Sequence, residues 1–239
     1  MTALRRLACL LVLSPLLFLS PLVVNAQATS AVLTFHFDRP TLPVPTYTIN
    51  VHPDGTGTYT AMYAVARPES GSRYGAGASV ALPAPAAEVT RPVTLPPTLI
   101  AHLFEHARAA SFFRLTCEAN AHNIANTGAK TLTYKGPDGA GECTYNYTEN
   151  KHVEALATSF QALSYTLDEG RTLDLLQRYD RLGLDQAMKG LLDALHDGRA
   201  QEPSVIAPVL KSLVDDSQVM DRVRKRAQTL LDQIPFHNK

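Results

Sequence analysis

The feature that most constrains this chain is a change in the period of its apolar residues. They recur at every second position as far as about residue 148, with two helical interruptions, and at every third or fourth position after Gly170. Period two sends alternate side chains to opposite faces of a strand, whereas a period near 3.6 lays them along one stripe of a helix. Strands first and helices after, rather than in strict alternation, predict an α+β fold: an antiparallel sheet covered by two helices on one face, followed by a small C-terminal all-helical bundle.

Leu33, Phe35 and Phe37 alternate with Thr34, His36 and Asp38, and Tyr47, Ile49 and Val51 repeat the pattern. Asp54-Gly55 then supplies a turn, because both residues tolerate positive φ, and Tyr59, Ala61, Tyr63 and Val65 form the returning strand. Residues 67–87 are rich in Gly, Ala, Ser and Pro and read as a loop or insertion. A strand is predicted from Val89 to Leu95. Pro96-Pro97 opens a helix with Leu99, Ile100, Leu103, Phe104 and Ala107 on one face. Thr131 to Lys135 and Gly141 to Tyr147 form a second hairpin that points Leu132, Tyr134, Cys143, Tyr145 and Tyr147 inward, and a second helix carries Val153, Leu156, Ala157, Phe160, Leu163 and Leu167.

In the tail, four amphipathic helices are predicted around Leu173 to Tyr179, Leu184 to Leu195, Ile206 to Leu213 and Val219 to Ile234. Gly183, Gly198 to Pro203 and Asp215 to Ser217 separate them, with Pro203 in a first helical turn and Ser217 as an N-cap. Four short helices bury too little alone, so the tail should dock against the Val153 to Leu167 helix.

Arg5 and Arg6 precede an uncharged run from Leu7 to Val24, and Ala26 provides a small residue for cleavage, so residues 1–26 read as an export signal, with an uncleaved anchor helix over Leu7 to Val24, interrupted by Pro15 and Pro21, as the alternative. The expected organisation is 1–26 signal peptide, 27–168 antiparallel α+β domain and 169–239 helical domain docked on the first. The whole chain has 22 Lys plus Arg and 22 Asp plus Glu; removing Arg5 and Arg6 leaves 20 − 22 = −2. That near-neutrality argues against nucleic acid as a partner. No apolar run after the signal is long enough for a transmembrane segment. Loss of Cys9 with the signal leaves Cys117 and Cys143, for which a disulfide is expected in an oxidising compartment and two buried thiols are the alternative.

The run Pro45 to Tyr59, containing Tyr47, Ile49, Val51, Asp54 and Gly55, is followed by a strand, the Leu99 to Phe113 helix and a second hairpin. This succession resembles an uncharacterised family of exported bacterial α+β domains over roughly residues 31–167. The resemblance implies a small α+β unit opened by a hairpin and transfers no catalytic residue. Ile206 and Pro208 to Leu213, Asp215-Asp216, and Val223-Arg224 to Ala227 and Leu230 look like one HEAT-type helical repeat. That likeness implies a protein-contacting surface.

His102-Leu103-Phe104-Glu105-His106 matches H-x-x-E-H, in which two histidines one turn apart bind zinc and the glutamate acts as general base. The apolar face of the same helix turns His102, Glu105 and His106 toward solvent. Glu149, Glu154 and Glu169 stand in no matching context for a third ligand, so no stoichiometric zinc is expected. No G-x-S-x-G elbow or phosphate-binding Lys accompanies the glycines of 71–77. Asp193, Asp197, Asp215 and Asp216 sit where helices end. Arg222, Arg224 and Arg226 lie beside Lys225 on the last helix and could meet an anionic partner, although a solvated helix side with Asp221 pairing to Lys225 accounts for them too. No catalytic, cofactor-binding or metal residue is assigned. The function expected is an exported, non-enzymatic binding or envelope-associated module of unknown ligand, with another envelope or extracellular protein as its partner. The rival is a zinc-dependent hydrolase at His102, Glu105 and His106.

Overall fold

Alternation of buried and solvent-facing residues runs through six strands. They are β1 (Val32–Asp38), β2 (Thr46–Val51), β3 (Thr56–Met62), β4 (Glu88–Thr94), β5 (Ala129–Gly136) and β6 (Gly139–Tyr145), and they form one sheet in the order β4-β3-β2-β1-β5-β6. Every neighbouring pair is antiparallel. The computed structural model describes residues 30–63, 88–120 and 123–234; the stretch 1–26 read as an export signal and the stretch 67–87 read as a loop lie outside them. Leu33, Phe35, Ile49, Val51, Tyr59, Leu132, Tyr134 and Tyr145 are buried on one face. On the other, threonines bond across strands, Thr34 Oγ1 donating to Asn50 Oδ1 at 2.7 Å and Thr131 meeting Thr144 at 2.8 Å. Pro92, which cannot donate to a ladder, sits on the edge strand β4.

Gly55 takes φ +85° in the β2–β3 turn, and a Cβ there would stand 2.7 Å from the Leu95 carbonyl oxygen. Leu95 N donates to Gly55 O at 2.9 Å. The turn is therefore pinned to the segment that opens α1 (Pro97–Ala109). This helix buries Leu99, Ile100, Leu103, Phe104 and Ala107, the face read from the sequence. Cys117 and Cys143 are joined as a disulfide, both buried, with Cα atoms 5.8 Å apart.

The second helix, α2, is longer than its spacing suggested. It runs without interruption from Lys151 to Tyr179, so the helix expected through Leu167 and the one expected around Leu173 to Tyr179 are a single helix that passes through Gly170. An interior glycine costs a helix about 1 kcal/mol relative to alanine. Here the position has no room for a side chain, because a Cβ would lie 2.3 Å from Ile206 Cγ2. Asn150 caps the other end, its Oδ1 accepting from the backbone N–H of His152 and Val153 at 3.0 and 3.3 Å. Between these ends, the Phe160 ring stacks on Phe35 with centroids 5.2 Å apart.

Beyond it come α3 (Leu184–His196), a short 3-10 turn (Pro203–Ile206), α4 (Ala207–Asp215) and α5 (Asp221–Gln233). One hydrophobic cluster joins the sheet, α1 and α2 as far as Leu167; a second begins at Leu173 and gathers Leu184, Met188, Leu191, Ile206, Leu210, Leu213, Val223 and Leu230. Val205 packs against both. Gln201 stitches the seam: its N–H donates to Thr166 Oγ1 at 3.0 Å and its Nε2 to the Ser159 carbonyl at 2.5 Å. Three local expectations need correction. Tyr147 lies past the end of β6 and is 39% exposed. Tyr179, at the last turn of α2, is 74% exposed rather than part of the apolar stripe. Ser217 caps nothing, because α5 starts four residues later behind Met220, with no side-chain cap.

Candidate functional site

Where the β2–β3 turn, the start of α1 and the 3-10 turn converge, an open groove of about 760 Å³ is lined by Asp54, Leu95, Pro96, Pro97, Glu202, Ser204 and Ile234, among others. Its apolar wall comes from the two prolines, Leu95 and Ile234. The polar groups are unusual. Glu202 has left-handed backbone, φ 54° and ψ 63°, which a non-glycine residue adopts at a cost of order 1–3 kcal/mol. Burial raises the proton affinity of its carboxyl. That carboxylate has no hydrogen-bond or ion-pair partner among the described residues. Ser204 Oγ is buried and likewise unpartnered. Opposite them Asp54 Oδ1 accepts from Thr56 Oγ1 and N at 2.7 and 2.9 Å, and the hydroxyl first, then the amide, lowers its pKa. The groove thus offers one firmly ionised carboxylate, one strained and uncommitted, and an unused hydroxyl. No Lys or Arg is among its lining residues as far as the described residues go.

A second open groove of about 690 Å³ follows α1 and is lined by Pro53, Pro97, Ile100, Phe104, Arg108, Tyr134 and Asp138, among others. Tyr134 donates to Asp138 Oδ1 at 2.5 Å, and burial first, then that carboxylate, pushes its phenol up to about 12. Pro97 lines both grooves.

His102 and Glu105 are exposed on α1, as their spacing predicts, but His106 is half-buried. Its Nδ1 stands 2.9 Å from Nδ1 of His152 on α2, and the His102 ring centroid is 4.3 Å from its own. Burial first, then the neighbouring His102 and His152, lowers the pKa of His106. His152 lies 46 residues from His106, beyond the reach of any local motif.

Asp168 on α2 forms a buried polar knot. Tyr59 and Tyr63 both donate to its Oδ1, at 2.9 and 2.7 Å. Arg91 Nη2 donates to the Tyr63 hydroxyl at 3.1 Å, and the Arg171 guanidinium lies 4.0 Å over the Tyr63 ring. Burial raises the Asp168 pKa in spite of its hydroxyl donors and the two guanidiniums. This knot ties β3 and β4 to α2.

Arg222, Arg224 and Arg226 are not a free cationic comb. Arg222 Nε and Arg226 Nη1 both pair with Asp185 Oδ1 on α3, at 2.8 and 2.7 Å, and Arg224 Nε donates to the Val214 carbonyl at 3.1 Å. Lys225 does pair with Asp221, at 2.7 Å. Sequence reasoning passed over Glu202 and Ser204 entirely. The one local signal was Pro203, which disfavours right-handed helix at the residue before it. The chain matches no protein-family model, and a search of curated proteins finds no match.

Proposed function

We propose that the protein is an exported binding module that recognises a cationic side chain flanked by apolar residues, presented by another envelope or extracellular protein. The observation that carries this reading is Glu202: a strained backbone and a part-buried carboxylate, unpaired among the described residues, on the wall of the 760 Å³ groove. A part-buried acid without a partner has lost some of its hydration, and an incoming ammonium or guanidinium offsets that loss. Ser204 Oγ supplies a second acceptor, Asp54 a second negative charge, and Pro96, Pro97 and Ile234 take the apolar flank. The buried Cys117–Cys143 pair is compatible with an oxidising compartment. The likeness of the Ile206 to Leu230 segment to a HEAT-type unit supports a protein partner.

The zinc-hydrolase alternative has less support, since neither large groove is lined by His102, Glu105 or His106. Calorimetry with a short peptide carrying one lysine between leucines, beside its Nε-acetylated form, tests the proposal. Acetylation and Glu202→Gln should each weaken binding at least tenfold. Equal binding of both peptides, or no loss in the variant, would overturn it.

A further inference from the structure

We infer that His102, His106 and His152 bind one divalent transition-metal ion of the zinc and copper class, clamping α1 to the start of α2. The site is separate from the Glu202 groove. Two observations carry it. First, the Nδ1 atoms of His106 and His152 face each other at 2.9 Å. Two imidazoles that share a tetrahedral zinc at about 2.0–2.1 Å hold their donor nitrogens roughly 3.3 Å apart, so a few tenths of an ångström of opening admits the ion. Second, His102 stands one helical turn before His106 with its ring 4.3 Å away, the spacing at which two helical histidines chelate.

The backbone of His152 is already fixed, because its N–H is bonded to the Asn150 cap. Among the described residues no three ligating side chains yet surround a common point. The missing movement is a side-chain rotation of His102, which is exposed and unobstructed by the core. Without metal, one Nδ1 must carry the proton of the His106–His152 hydrogen bond; on metal binding that ring changes tautomer, its proton passing through solvent to its own Nε2, so both Nδ1 atoms become neutral donors with no net proton released. All-imidazole sites favour Cu²⁺ and Zn²⁺ over the harder Mg²⁺ and Ca²⁺. The sequence suggested His102 and His106 as a zinc pair but not His152, because the residues weighed as third ligand were carboxylates elsewhere.

The test is calorimetric titration of the whole exported chain with ZnCl2 and CuCl2 in a non-coordinating buffer, together with melting curves. One ion per chain is expected, with affinity reduced at least tenfold by His106→Gln and by His152→Gln, and a metal-dependent rise in Tm that His152→Gln abolishes. Each variant's metal-free Tm shows whether it folds, and His102→Gln, at an exposed site, provides a variant in which folding is not at stake. Absence of one-to-one binding overturns the inference. So does binding that is indifferent to His152→Gln, since it would mean a simple helical His102–His106 chelate.

Discussion

Ile206 occupies the space that a side chain at Gly170 would need: a Cβ built on the glycine would lie 2.3 Å from Ile206 Cγ2 and 3.0 Å from its Cβ. Helix propensity and packing therefore oppose each other at one position. Alanine would gain about 1 kcal/mol in propensity. Overpacking costs about 1–3 kcal/mol. Gly170→Ala is expected to destabilise on balance, by up to roughly 2 kcal/mol, in urea unfolding. In an Ile206→Ala background the same substitution should be neutral or stabilising, and an unchanged penalty there would refute the pairing.

Asp168 should leave a signature in pH dependence. Its folded pKa is raised above the ordinary aspartate value of 3.8, first by burial. As pH rises through 3.8, the unfolded chain gives up its proton more readily than the folded one, so the folded state loses this stabilisation until the pH has passed the folded pKa. Asp168→Asn, which cannot ionise, should unfold with a flatter dependence on the acid side, as pH rises above the ordinary aspartate range. The constant offset from altered hydrogen bonds drops out of that slope. Parallel profiles for the two proteins would show that Asp168 ionises normally.

Removing the Cys117–Cys143 bond, which closes a sequence separation of 26, should cost about 3–4 kcal/mol in the chain-entropy account. A Cys117→Ser, Cys143→Ser double variant measured against the oxidised protein by denaturant melts checks it. A loss below about 1 kcal/mol would mean that the reduced, unfolded chain is already constrained there.

Asp185 receives both Arg222 and Arg226, whose side chains are 62% and 34% exposed. Reversal at the better-covered arginine should matter more: Arg226→Glu lowers stability by about 1 kcal/mol or somewhat less, and Arg222→Glu by less still. Thermal melts at low and high salt should show the difference shrinking with salt. Equal effects would place both pairs in bulk solvent.

The strands were legible because each apolar alternation is sampled several times. Phe35 and Ile49 are fully buried at the positions their neighbours imply, and the Asp54-Gly55 turn leaves little choice of register. Sheet order was not legible. β1 is central because it pairs with β5 almost a hundred residues later, a contact that no local pattern encodes. Gly170 misled because a glycine that ends a helix and one that admits a neighbour look alike in one dimension. Asp168, between Leu167 and Glu169, reads as a helix surface until Tyr59 and Tyr63 are brought over it from the sheet. Glu202 and His152 have the same origin: their partners, or their want of partners, arise only when distant segments meet.

The unbroken α2 also determines how the molecule can deform. At 1.5 Å per residue its 29 residues make a rod of roughly 43 Å whose two halves serve the two hydrophobic clusters. Torque applied near Tyr179 reaches Asn150 as rotation of the whole rod, since bending it at Gly170 would require giving up backbone hydrogen bonds and driving the chain into Ile206. The two clusters therefore cannot swing apart like domains on a tether. Lifting the Asp197 to Pro203 connection off α2, to widen the Glu202 groove on that side, would forfeit the hydrogen bonds of Gln201 to Thr166 and Ser159, so that wall is held by the same rod that joins the two clusters.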